Sequence, residues 1–79
     1  MAAGSDTETF EVQPPPDYGD PANPQPVHSL LLIEHAIYLF ESIYLEELAR
    51  AGAYEFLFVA LPLKIHGATG SMLDPVAIV

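Results

Sequence analysis

The stretch Tyr54-Glu-Phe-Leu-Phe-Val-Ala-Leu-Pro-Leu-Lys-Ile-His-Gly-Ala-Thr-Gly-Ser71 decides how this chain is read, because a long apolar run breaks there into a glycine-spaced polar turn. Apart from Glu55, Pro62 and Lys64, every position from Tyr54 to Lys64 is apolar, so both faces of an extended segment would be apolar. That is the pattern of a strand covered on two sides. A chain of 79 residues has little with which to cover it.

Length sharpens the conflict. A domain this small buries only about 60% of the surface its unfolded chain exposes. Ordering the chain costs on the order of 100 kcal/mol of conformational entropy. With no cysteine, disulfides cannot offset that cost, and the redox compartment is not readable.

Charge excludes several partners. Arg50 and Lys64 are the two basic residues against eleven acidic ones, giving a formal net charge of −9. Phosphate-neutralising contacts dominate nucleic-acid affinity and need clustered Lys and Arg, so neither nucleic acid nor an anionic membrane surface is an expected partner. The N-terminal Met-Ala-Ala-Gly-Ser-Asp-Thr has neither a basic region nor an apolar segment of the secretory kind, and the apolar runs are too short to span a bilayer. The chain reads as soluble and cytoplasmic.

Upstream of the decisive stretch, Asp6 to Val12 reads as a short extended piece with Phe10 and Val12 on one face and Thr9 and Glu11 on the other. Gln13 to Pro26 holds six of the eight prolines and reads as a loop. A structureless loop of that length is uncommon inside a self-contained small fold. Val27 to Ile33 is compatible with a helix that sets His28, Leu31, Leu32 and His35 along one side. Ala36 to Glu41 reads as a strand. Leu45 to Gly52 reads as a short helix, with Glu46 and Glu47 at its start, Arg50 at its end and Gly52 as its stop. Glu46 and Arg50 form an i,i+4 pair. The turn from His66 to Ser71 is better read as a hairpin connection than as a phosphate loop, since it lacks the Lys-Ser/Thr ending. Pro75 to Val79 fits a last short strand returning beside the first.

Glu41 is the first candidate for chemistry. It shares a strand face with Ile37 and Leu39, and a carboxylate among apolar neighbours needs a partner, a hydrogen bond or a metal. The plainer alternative is that the strand ends there and the side chain reaches water. His28 and His35, seven residues apart, carry imidazoles suited to metal ligation, yet no compact His-x-x-x-His or His-x-His spacing is present. Each is otherwise a surface or partly buried structural histidine.

Taken together, Val-His-Ser-Leu-Leu-Leu-Ile-Glu-His-Ala-Ile-Tyr-Leu-Phe-Glu-Ser from Val27, then Leu-Glu-Glu-Leu from Leu45, then Phe-Val-Ala-Leu-Pro-Leu-Lys-Ile-His-Gly-Ala-Thr-Gly-Ser from Phe58 and Pro-Val-Ala-Ile from Pro75, resemble the C-terminal part of the cyclase family. This family comprises metal-dependent kynurenine formamidases and related cyclic-amide hydrolases. Gly4-Ser-Asp-Thr7 is similar to the Gly-x-Asp-Thr that ends a strand before a variable active-site loop in those proteins.

The resemblance implies an α/β fold, the C-terminal fragment of a β/β/α domain with short helices packed on a mixed sheet. It covers residues 1–79 as a single partial domain, with Tyr54 to Ile65 as a central or near-central strand. His28 and Glu41 are implied as metal ligands, residues 13–26 as a loop bordering the substrate pocket, and Tyr18 as a substrate-binding wall. The implied cofactor is zinc or manganese. The implied activity is arylformamidase-like hydrolysis of N-formylkynurenine, a tryptophan breakdown product, or a similar amide.

Two features depart in detail. The interval from His28 to Glu41 is about one residue longer than the family pattern, and Ala36 stands where a glycine is common. The larger departure is that the family's His-x-Gly-Thr-His-x-Asp motif and its further acid–base histidine are absent from the 79 residues. This chain alone is therefore expected to hold no metal tightly and to be inactive unless a homo-oligomer or a complementing chain completes it. A reading from another class is a small acidic interaction protein that pairs through an exposed strand and performs no chemistry.

Overall fold

The computed structural model describes residues 1–14 and 19–79, which form two compact units, Met1–Tyr44 and Leu45–Val79. Helices and strands are mixed, and the strands form two separate two-stranded sheets in place of one mixed sheet. The fold is broadly α/β. No described residue is buried as a whole, and none of the described helices is long and apolar enough to cross a membrane.

In the first unit, β1 (Ala2–Gly4) runs parallel to β2 (Tyr38–Phe40), with Ala2 opposite Tyr38, Ala3 opposite Leu39 and Gly4 opposite Phe40. Parallel strands need a crossover, and here it carries the helix. The chain comes close at Gly4: a Cβ there would lie 3.0 Å from Ile43 Cδ1, so that side-chain end would have to give by a few tenths of an ångström. Beyond the strands the two segments stay joined, since Ser42 N–H donates to Thr7 O (2.8 Å) and Ile43 N–H to Ser5 O (3.1 Å).

The extended piece expected at Asp6 to Val12 is instead a series of turns, and the strand lies earlier. Ser and Thr side chains compete with ladder bonds for nearby backbone groups. Ser5 Oγ pairs with Thr7 Oγ1 and accepts Thr7 N–H, Thr7 Oγ1 donates to Thr9 O, and Thr9 Oγ1 accepts Glu11 N–H.

The crossover helix begins as α1 (Pro26–His28) and continues as a π-helical segment, Ser29–Glu34. Pro26 suits the first turn, where its missing N–H is no loss. The wider turn is marked by His35 N–H donating to Leu30 O at 3.2 Å. Because the period is no longer 3.6, the stripe of His28, Leu31, Leu32 and His35 does not hold: His28 and Leu31 are half-buried while Leu32 and His35 are exposed. The chain leaves the helix through Ala36 at φ 52°, and leaves β2 through Ser42 at φ 55°, both in the left-handed region.

In the second unit, α2 (Glu46–Ala51) ends at Gly52, whose φ of 60° is the left-handed stop expected of glycine. Arg50 Nε lies 3.4 Å from Glu46 Oε1, with both side chains exposed. Strand β3 (Leu57–Val59) pairs antiparallel with β4 (Val76–Ile78), Phe58 facing Ala77.

The long strand expected from Tyr54 to Ile65 thus contracts to three residues. Only the segment that meets β4 has a ladder partner in this unit. Past it, Pro62 has no N–H to offer, Leu63 N–H turns to Ser71 Oγ (2.8 Å), and Ile65 N–H folds back onto Leu63 O (3.0 Å). The glycine-spaced turn is part of the connection from β3 to β4, with Gly67 at φ 75°.

Candidate functional site

Three side chains from separate parts of the first unit converge. Glu11 comes from the turns after β1, His28 closes the α1 turn, and Glu41 follows β2 directly. The geometry starts with an uncapped helix. Gln25 at the N-cap makes no side-chain cap bond, so the first N–H groups of α1 need acceptors from elsewhere. Glu11 supplies them: its Oε2 accepts Val27 N–H (3.2 Å) and its Oε1 accepts His28 N–H (2.9 Å).

The same Oε1 lies 2.8 Å from His28 Nδ1. An ionised carboxylate only accepts, so Nδ1 carries the proton in this contact. The Glu11 side chain is 5% exposed. Burial pushes its carboxyl up, but the hydrogen bonds from the His28 side chain, the His28 and Val27 backbone and the imidazole's charge outweigh it, and the group is held below the ordinary glutamate range.

On the other side of the ring, Nε2 is 3.3 Å from Glu41 Oε1, and that same oxygen accepts Phe10 N–H at 2.9 Å. Glu41, half-buried, therefore does not simply end its strand in water: it has a backbone donor and an imidazole as partners. Ile37 and Leu39 on its strand face are also half-buried. His28 and Glu41 open onto a cleft of about 470 Å³, lined also by Glu8, Thr9, Gln13 and Gln25. No Lys or Arg occurs anywhere in residues 1–44.

Of the residues singled out from sequence, His28 and Glu41 are brought together, and His35 is not among the residues lining the cleft. Tyr18 lies outside the described residues. Glu11 was missed. Its signal was the helix start itself, which offers Gln25 and Pro26 where a Ser, Thr, Asp or Asn cap is expected and so leaves N–H groups for a remote acceptor. Among the described residues no group of three His, Cys, Asp or Glu side chains is arranged to hold a metal ion. No family model matches the chain, and no curated protein or solved structure matches it either.

Proposed function

We propose that the chain is the C-terminal part of a metal-dependent amidohydrolase of the cyclase type, resembling kynurenine formamidase, and that His28 and Glu41 are two of the ligands of its divalent ion. The observation that carries this reading is the 3.3 Å separation of His28 Nε2 and Glu41 Oε1. Nδ1 is engaged by Glu11, so Nε2 is the ring nitrogen that faces a carboxylate oxygen across the cleft and is placed to share a cation with it. Adjacent ligand atoms on one ion, each bonded at about 2.1 Å, stand roughly 3.0–3.4 Å apart.

The donor set fits zinc or manganese, for which imidazole and carboxylate are ordinary ligands. It is incomplete, because a catalytic zinc site takes about three protein ligands and keeps one position open. The remaining ligands would come from a His-x-Gly-Thr-His-x-Asp segment outside these 79 residues. When bound, the ion supplies Lewis acidity that activates water and polarises the amide carbonyl. Of the chain's own residues, His28 and Glu41 hold their donor atoms in register and Phe10 N–H orients the Glu41 carboxylate. The absence of Lys and Arg from residues 1–44 keeps the cleft attractive to a cation.

Two details of the resemblance support this reading. The extra residue between His28 and Glu41 is accommodated by the wider π turn, so both side chains still meet. Ala36, where the family has glycine, sits at a φ that favours glycine.

The test is reconstitution. The 79-residue chain is mixed with a polypeptide bearing the His-x-Gly-Thr-His-x-Asp motif, zinc or manganese is added, and formate release from N-formylkynurenine is measured. Activity is expected only in the mixture and is lost with His28→Ala or Glu41→Ala. Metal-dependent hydrolysis by the chain alone would overturn the two-ligand assignment.

A second reading, an acidic protein that pairs its strand with a partner and performs no chemistry, is favoured by β3. All three of its residues are exposed, Leu57 by 61%. Partner binding with no metal, unchanged in the His28 and Glu41 variants, would establish it instead.

A further inference from the structure

We propose that Glu11 is a positioning residue that fixes His28 in its Nδ1-protonated tautomer and so presents the Nε2 lone pair to Glu41 and the cleft. Its use in ligation rests on the proposed function, whereas the tautomer itself is measurable without metal.

The argument is geometric. Glu11 is tied to the same helical turn that carries the imidazole, through Val27 N–H and His28 N–H. With both oxygens engaged by backbone donors, the carboxylate cannot swing away without leaving two N–H groups unpaired. Its Oε1 thus stands as a fixed acceptor 2.8 Å from Nδ1. A ring flip would put Cδ2 where Nδ1 now stands and so lose the contact with Glu11 Oε1.

Free imidazole side chains favour the opposite, Nε2-protonated form, so Glu11 reverses the intrinsic preference. A carboxylate behind a histidine, holding its tautomer and ring orientation, is the arrangement that prepares an imidazole to bind a cation through its other nitrogen. It serves here without facing the cleft, and Glu11 is not among the cleft-lining residues.

The experiment is long-range ¹H–¹⁵N correlation NMR of the histidine ring nitrogens in the metal-free 79-residue chain at about pH 8.5, well above the ordinary imidazole range. The Nδ1–H form of His28 is expected to dominate, and Glu11→Gln is expected to lower the Nδ1–H to Nε2–H ratio about tenfold, as loss of one charge-assisted hydrogen bond would. Glu34→Gln, which removes an exposed charge of the same sign, should leave the ratio unchanged.

A dominant Nε2–H form in the wild-type chain overturns the proposal. So does an equal response to the Glu11 and Glu34 variants, which would mean a diffuse field and not a contact. Should Glu11→Gln lose its fold, the wild-type ratio decides together with Glu11→Asp, whose shorter carboxylate is expected to lower the ratio while keeping the charge. A dominant Nδ1–H form with no zinc bound in the reconstituted complex would overturn the metal-ligand reading alone.

Discussion

Glu11 caps the turn that carries His28 and at the same time grips that histidine's ring: one carboxylate oxygen accepts both His28 N–H at 2.9 Å and His28 Nδ1–H at 2.8 Å. A helix end and a cleft-lining side chain thereby share one support. Glu11→Ala should cost about 1–2 kcal/mol of local stability, because it leaves two part-buried donors without acceptors. Hydrogen exchange checks this: the Val27 and His28 amides should lose most of their protection, while the Glu46–Ala51 helix, in the other unit, keeps its own.

The same contact sets a pH dependence. Because the Glu11 carboxyl is held below its ordinary range in the folded chain, its contribution is fully present above the pKa it has when unfolded and is lost as pH falls through the lowered value. Protection of Val27 and His28 should therefore start to fall as pH enters the ordinary glutamate range, decline progressively, and be lost in full only below the lowered value. Glu11→Gln, which cannot titrate, should start lower and show no such step. A wild-type loss already complete within or above the ordinary glutamate range would contradict the lowered value.

The contrast between α2 and the Glu11–His28 contact shows what was legible in the sequence. The helix from Glu46 to Ala51 and its stop at Gly52 are written in neighbouring residues, so charge placement and one glycine sufficed to find them. Glu41 was legible from strand alternation, which put a carboxylate among apolar side chains in need of a partner. Glu11 was not, because its partners lie sixteen and seventeen residues away across a proline-rich segment, and the uncapped helix start marks the need for an acceptor without saying which residue supplies it. The length of β3 was illegible for a related reason. Apolar content fits Tyr54 to Ile65 for a strand, but the ladder extends only as far as a partner strand does, and β4 offers three residues.

Ala36 occupies a conformation that an L side chain adopts at a cost. At φ 52° the left-handed penalty for a residue with a Cβ is about 1–2 kcal/mol, against about 0.5–1 kcal/mol of extra unfolded-state entropy for glycine. Ala36→Gly should therefore stabilise the turn into β2 by up to about 1 kcal/mol, seen as slower exchange of the Ile37 amide, which donates to Leu31 O at 2.8 Å. The reciprocal change, Gly52→Ala at φ 60°, should destabilise α2 by a similar amount. Faster exchange in Ala36→Gly would show that the turn is not strained.

The π turn makes the sharpest prediction about the site. If Ser29–Glu34 absorbs one residue beyond what an α-helical path from His28 to β2 requires, deleting a residue there should convert the segment to α geometry and leave His28 and Glu41 facing each other. Ile33 is the residue to remove, being 81% exposed and so without packing to lose. Deleting Leu39 from β2 removes one residue from the same interval but moves Glu41 to the opposite face of its strand, since successive strand side chains alternate. In the reconstituted complex the Ile33 deletion should keep zinc affinity within about threefold of wild type, whereas the Leu39 deletion should lower it by a factor on the order of 10–100, as loss of support for a ligand does. Equal loss in both deletions would mean that the π turn is required by the site and does not merely take up the extra residue.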